Sequence, residues 1–312
     1  MDKNNLRIVF MGTPEISAGV LKTLLEEGYN IVGVIAQPDR PVGRKKIIDP
    51  VPTKKIAMEY NIPIFQPVKI RLDYEFVKEL HPDVIITLAY GQIVPQGLLD
   101  IPLYGCINLH GSLLPKYRGA APIQYALINN EAETGMTLME MTAKMDAGRI
   151  YAIDKVKIDD EDNSSTLFKK MEEAAKKLII RALPQYIDGE LKGKEQDESL
   201  VTFSPTIKPE EEKLSLNDSV LRIHGYIRGL ADEIGAYLYL DNEKIKIFKS
   251  KIISNDVVGK VGEIIKADKN GLVLQCKDGQ LSLLELQKEG KKRLDYKSYI
   301  NGNPNLLGKV FY

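Results

Sequence analysis

From Asp83 to Ala89 the chain reads DVIITLA, apolar with almost no alternation. A strand with one wet face alternates apolar and polar residues. A run without alternation belongs to a strand covered on both faces, as in a parallel sheet flanked by helices. The rest of the first half fits that frame. Arg7 to Phe10 is a compact apolar strand and Gly12-Thr13-Pro14 the turn after it. Ile16, Val20, Leu21, Leu24 and Leu25 then give one apolar helix face, which Gly28 ends. Strands are expected at Ile31 to Ala36, Cys106 to His110, Met136 to Met141 and, near an edge, Tyr151 to Ile158. Helices are expected at Ile56 to Tyr60, Leu72 to Leu80, Ile123 to Ile128 and Thr166 to Ile187. This β-α-β rhythm predicts an α/β domain over residues 1–189, a doubly wound, mainly parallel, Rossmann-like sheet. Ligands of such sheets sit beyond the carboxyl ends of the strands. The first turn lacks a G-x-G-x-x-G run, which argues against a dinucleotide.

Residues 190–208 are polar, charged and broken by glycine and proline, and read as a linker in which Leu200 to Phe203 can pack against a neighbour. Behind it come a helical stretch, Val220 to Leu230, and five short β runs: Ala236 to Leu240, Ile245 to Phe248, Gly259 to Ile265, Leu272 to Cys276 and Leu281 to Leu286. Turn signals at Asp241-Asn242, Lys269-Asn270-Gly271 and Asp278-Gly279 separate them. Residues 209–312 are therefore expected to form a small C-terminal β-barrel of the oligonucleotide-binding (OB-like) type.

Charge excludes a global nucleic-acid footprint, since 43 Lys and Arg balance 43 Asp and Glu; any such contact has to be local. Cys106 and Cys276 stand apart in apolar runs and read as buried thiols of a reducing compartment. Three histidines and no cysteine cluster speak against a zinc site, so no metal is expected. With no signal-like segment and no long apolar span, the chain is expected in the cytoplasm, away from membranes, as a monomer.

The chemistry-bearing stretch is GCINLHGSLLPKYRGAAPIQ, Gly105 to Gln124. On a strand, Asn108 and His110 share a face, and Gly111-Ser112 leaves room beyond them. A histidine at a strand end is more often a packed residue bonding a loop carbonyl. Here the amide partner, the open turn and a carboxylate, Asp146, on a loop after Met141 favour a site. An amide can bind a developing oxyanion, an imidazole can move a proton, and a carboxylate can orient the imidazole. No serine or cysteine is placed as a nucleophile, so the nucleophile is expected from the substrate, for instance an amine. Ser112, Leu113, Leu114 and Pro115 read equally as a rigid loop or as a cradle for a flat polar ligand. Tyr117-Arg118-Gly119 sets a cation beside an aromatic ring, which suits an anionic or planar partner and is as common on surfaces.

Asn108, His110, the SLLP run and Tyr117-Arg118-Gly119 together resemble the signature of the folate-dependent formyltransferases. Phe10 to Pro14 supports this, and the AAPIQ continuation with Gln37-Pro38-Asp39-Arg40-Pro41 narrows the resemblance to the branch acting on methionyl-tRNA. The resemblance implies formyl transfer from 10-formyltetrahydrofolate to the α-amino group of methionyl initiator tRNA, with Asn108, His110 and Asp146 as catalytic residues. It implies a folate site lined by Ser112, Leu113, Leu114 and Pro115 and by Leu88, Tyr90, Gln92 and Ile93. It also implies acceptor-stem contacts from the proline-stiffened basic loop, at Arg40, Arg44, Lys45 and Lys46, and tRNA contact by the barrel. The family's Asn-Pro-Trp-Pro type segment is replaced here by residues 229–235, GLADEIG, and the chain has no tryptophan. Two other readings stay open on the residues: a formyltransferase for a small amine, and a folate- or RNA-binding protein without catalysis.

Overall fold

The structure is a computed structural model that describes residues 3–42, 47–231 and 234–312; of Val42 and Ile47 it describes the backbone. It divides into two compact units that interleave along the chain. The first comprises residues 1–122, 134–157 and 168–205, the second residues 123–133, 158–167 and 206–312.

In the order of the chain, β1 (Arg7–Gly12), α1 (Glu15–Glu26) and β2 (Asn30–Ile35) are followed by a small antiparallel pair, β3 (Pro41–Val42) and β4 (Ile47–Ile48). Then come α2 (Pro52–Glu59), β5 (Ile64–Phe65), α3 (Phe76–Glu79), β6 (Val84–Leu88), α4 (Gln96–Leu99) and β7 (Cys106–His110). α5 (Pro122–Ile128), β8 (Glu133–Glu140), β9 (Ile150–Lys157) and α6 (Ser164–Ile187) complete this half. The large sheet runs β5-β2-β1-β6-β7-β8-β9. Its first five strands are parallel and β8 joins β7 antiparallel, so the sheet is mainly parallel as the unalternating run implied. That run is β6, buried at every position.

The helix expected over Leu72 to Leu80 shrinks to α3. Turn bonds from the Leu72 and Asp73 amides back to Lys69 and Ile70 occupy the residues before it. Val9, Met11, Ile35, Ile85 and Cys106, alternate residues of four parallel strands, form an apolar core with Ile70, Val77, Val94, Leu98 and Leu99. α1 meets α6 so closely at Gly19 that a Cβ there would lie 2.1 Å from Glu172 Oε1.

The second unit holds α7 (Val220–Gly229), β10 (Ala236–Leu240), β11 (Glu243–Ser254), β12 (Ile264–Asp268), β13 (Gly271–Cys276), β14 (Gly279–Lys288), β15 (Leu294–Asp295) and α8 (Tyr296–Gly302). The strands pair antiparallel in the order β10-β11-β14-β13-β12, with β15 on β14, around one apolar core. The strand expected at Gly259 to Ile265 starts only at Ile264. Gly262 has φ 86°, and Gln275 ties the loop before it, its side chain accepting from Val258 N at 3.0 Å. Among the described residues no helix is long and apolar enough to cross a membrane.

Candidate active site

The site lies at the carboxyl end of β7. In register, Met11, Thr87, Asn108 and Met139 stand side by side on four neighbouring strands, and His110 pairs with Thr137 one pleat further on. Alternation places Asn108 and His110 on the same face as Cys106, and so on the face that carries the apolar core. The polar pair thus tops an apolar layer, where the strand emerges from its cover. Asn108 is half-buried, and Thr87 beside it is buried with its hydroxyl unpartnered among the described residues.

His110 is held from two sides. Its Nε2 lies 2.8 Å from the Tyr117 carbonyl oxygen, which can only accept, so Nε2 carries the hydrogen. Its Nδ1 faces Asp146 Oδ2 at 3.8 Å, with the two side chains 6% and 16% exposed. With Nε2–H committed to Tyr117 O, Nδ1 meets this carboxylate as an ion pair only when the ring carries both hydrogens, and 3.8 Å is longer than a hydrogen bond. Asp146 Oδ2 also accepts from the Gly119 amide at 2.8 Å.

The Ser112–Pro115 loop is pinned by a neighbouring strand. Thr137 Oγ1 on β8 donates to the Ser112 carbonyl at 2.6 Å and accepts from Leu114 N at 3.4 Å. Ser112 is fully buried and its hydroxyl donates to Lys116 O at 2.6 Å, so it serves the loop's shape. Cys106 offers no nucleophile either, because burial pushes its thiol up to about 12. Among the described residues no cluster of three or more His, Cys, Asp or Glu could hold a metal.

Arg118 is not a surface cation. It is 1% exposed, and its guanidinium donates to Gln196 Oε1 from Nε at 3.1 Å and from Nη2 at 2.9 Å, and to Glu198 Oε1 at 2.9 Å. The stretch expected to be a linker supplies these partners. It goes on to pair with the site loop: Arg118 N donates to Thr202 O at 2.9 Å, Ser204 N to Arg118 O at 2.8 Å, and Ser204 Oγ to Tyr117 O at 3.0 Å. Gln196, Thr202, Ser204 and Thr137 are site-building residues that sequence reasoning did not single out. The hint available was the apolar Leu200–Phe203 run inside a polar stretch.

The other expected residues separate into two places. Leu88, Tyr90, Gln92 and Ile93 gather where β6 ends. The Leu88 carbonyl accepts from Ser17 Oγ at 2.6 Å, and the Tyr90 carbonyl from Gln37 Nε2 at 3.0 Å. Gln92 Oε1 accepts from Ile70 N at 2.8 Å, so its side chain braces the 67–70 segment. The Tyr90 ring is in the core, where burial raises its phenol, while Ile93 is 80% exposed. Arg40 is exposed at the base of the β3–β4 pair; Arg44, Lys45 and Lys46 lie outside the described residues. Asp39 next to it loses water on burial, which would raise its carboxyl. Bonds from Lys54, Gln66 and Val51 outweigh that and hold it below its ordinary value. In the second unit, Lys288 pairs with Glu243 at 2.5 Å and Arg293 with Glu285 at 3.7 Å.

Comparison with known proteins meets this geometry from outside. Residues 6–183 match the family model described as "Formyl transferase", and residues 206–304 that of "Formyl transferase, C-terminal domain". The chain is 44% identical over 295 residues to a methionyl-tRNA formyltransferase of Mesoplasma florum, covering 94% of each chain. It is 43% identical to that of Bacillus subtilis over 299 residues, 95% of this chain and 94% of the relative. Among solved structures, HypX from Aquifex aeolicus in complex with tetrahydrofolic acid matches at a TM-score of 0.66 and 16% identity. That match takes in 95% of this chain, which spans about half (47%) of the HypX chain. The sugar 3N-formyl transferase WlaRD matches at 0.65 and 20% identity over 92% of this chain and 99% of its own. At such identities these structures speak for the fold alone.

Proposed function

The chain belongs to the methionyl-tRNA formyltransferase family, and from that we infer that it transfers a formyl group from 10-formyltetrahydrofolate to the α-amino group of methionyl initiator tRNA, as a cytoplasmic monomer. The observation that carries the reading is the convergence of Asn108, His110 and Asp146 at the end of β7, in a chain more than 40% identical to such enzymes over nearly its whole length.

The donor's flat ring system fits what the end of β6 and the Ser112–Pro115 loop offer. Ile93 is a large apolar side chain left 80% exposed on a loop, which a planar ligand would cover. Leu113 and Pro115 are half-buried beside the pinned loop backbone. A folate supplies the formyl group and a nitrogen leaving group; the protein supplies the rest. The Asn108 amide donates to the formyl oxygen as negative charge develops there. The amine nitrogen bonds to the formyl carbon while that carbon's bond to the folate nitrogen breaks. The amine is left with one proton too many and the folate nitrogen with one too few. The His110–Asp146 pair takes the first proton and returns it to the second, with no oxidant or reductant involved. Tyr117 O fixes the ring, so that Nδ1 and the carboxylate share the proton in transit. Arg40, Arg44, Lys45 and Lys46 contact phosphates of the acceptor stem in this reading, and the C-terminal unit adds tRNA contacts.

The test is formylation of methionyl initiator tRNA against methionyl elongator tRNA with 10-formyltetrahydrofolate as donor. Formylmethionyl initiator tRNA is the expected product; folate binding without product overturns the reading. His110→Ala and Asp146→Ala are each expected to lower kcat about 100-fold or more while folate affinity changes little. Reversing charge at Arg44 and Lys45 is expected to raise KM for the tRNA. Unchanged tRNA kinetics would favour a small-amine acceptor.

A further inference from the structure

The segment at 194–204 reaches the reaction centre at a point that its composition does not suggest. Gln196 uses its whole amide. Its Oε1 accepts twice from the buried Arg118, and its Nε2 donates to the carbonyl oxygens of Asp146 at 2.9 Å and Gly148 at 2.8 Å. The two hydrogen bonds from Arg118 allow one orientation of the amide, since a flipped amide would turn its N–H groups on the guanidinium. The donor end is thereby aimed at the Asp146 loop.

That loop needs holding. Asp146 has φ 50°, in the left-handed region that residues with a Cβ rarely adopt. Gly148 runs so close to β8 that a Cβ on it would lie 2.0 Å from the Glu140 carbonyl. Gln196 ties down the carbonyls of both residues. Gly119, next to Arg118, binds the Asp146 carboxylate through its amide at 2.8 Å. Asp146 is thus held at its backbone and at its side chain by partners that both trace to Arg118-Gly119.

We propose that Gln196 is a positioning residue for formyl transfer: through the Asp146 and Gly148 carbonyls it sets where the Asp146 carboxylate stands against His110 Nδ1. It touches neither substrate, and acts only through Asp146. The inference rests on the function proposed above for its kinetic arm and on geometry alone for its spectroscopic arm.

Gln196→Glu separates this role from bulk packing. A glutamate still accepts from Arg118, but it has no N–H for the two carbonyls and turns a carboxylate on them. Gln196→Met, uncharged and without donors, is the second variant in case the glutamate chain does not fold. For both, kcat for methionyl-tRNA formylation is expected to fall about 10- to 100-fold, with KM for tRNA and folate within about threefold. On an Asp146→Asn background the same substitutions are expected to cost less than about threefold more, because the group they act through is already disabled. An equal loss on both backgrounds, an unchanged kcat, or a loss confined to KM overturns the proposal. Independently of any acceptor, NMR of the histidine rings in the full chain is expected to show His110 displaced by Gln196→Glu and by Asp146→Asn, with His81 and His224 unmoved. An undisturbed His110 overturns the proposal as well. If the wild-type protein formylates no methionyl-tRNA, it is the functional reading that fails, and the NMR comparison still decides the role of Gln196.

Discussion

Asp146 carries two demands at one position, a carboxylate and a left-handed backbone. Asparagine keeps the second and gives up the first, because Asn, like Asp, tolerates positive φ. Alanine gives up both. Asp146→Asn and Asp146→Ala are therefore expected to lose turnover alike, with Asp146→Ala the less stable by about 1 kcal/mol in urea titration. Thr87 offers the opposite case. Its hydroxyl is buried and without a hydrogen-bond partner among the described residues, so it lost its water on folding and gained nothing there. Thr87→Val keeps the shape and removes the polar atom. It is expected to raise the unfolding free energy by about 1 kcal/mol, which a shift of the urea midpoint would register.

At the scale of elements, the bend at Tyr117–Gly119 lies against Thr202–Ser204, where Gly119 has φ 121° and a Cβ would sit 2.7 Å from the Ser204 carbonyl. Gly119→Ala is expected to push these segments apart and, by moving the Gly119 amide off Asp146, to lower kcat as well as the melting temperature. In the second unit α7 meets β11 through His224, whose Nδ1 lies 2.9 Å from Ser250 Oγ. Burial, and then the Arg228 guanidinium, lower this imidazole to about 4 against the pull of Glu161 and Asp160. The unfolded chain takes up a proton near pH 6.5 and the folded one only near 4. Stability from this residue is therefore complete above about pH 6.5 and drains away as pH falls toward 4, by up to about 3 kcal/mol. His224→Gln is expected to flatten that acid limb in melting curves taken from pH 7 to pH 4. What the sequence disclosed follows the same divide. Unalternating β6 and the strand-end pair Asn108 and His110 were legible because period and turn chemistry are local. The grip of Gln196 on Asp146 was not, because it joins residues 50 apart through an amide that looks like any polar side chain of a loop.

For the whole molecule, the two units do not divide the chain at one point. The second unit draws on residues 123–133 and 158–167, and those pieces are fitted to α7. Gly225 passes so close to Ile128 O that a Cβ on it would lie only 2.5 Å away, and Arg228 donates to the carbonyls of Asp159 and Asp162 at 2.7 and 2.6 Å. Ser164 Oγ donates to Ala231 O at 2.6 Å, and Asn130 Nδ2 to Leu221 O at 3.0 Å. A chain cut after residue 205 would keep those pieces and lose every one of these partners. It is expected to melt at a lower temperature with a broader transition than the full chain, and to self-associate on gel filtration; an unchanged sharp transition would show that the first unit needs nothing behind it. The interleaving also orders events in time. On the ribosome, residues 123–133 and 158–167 emerge before the α7 that covers them, so the nascent protein carries those surfaces bare until residues 220–229 have followed them out.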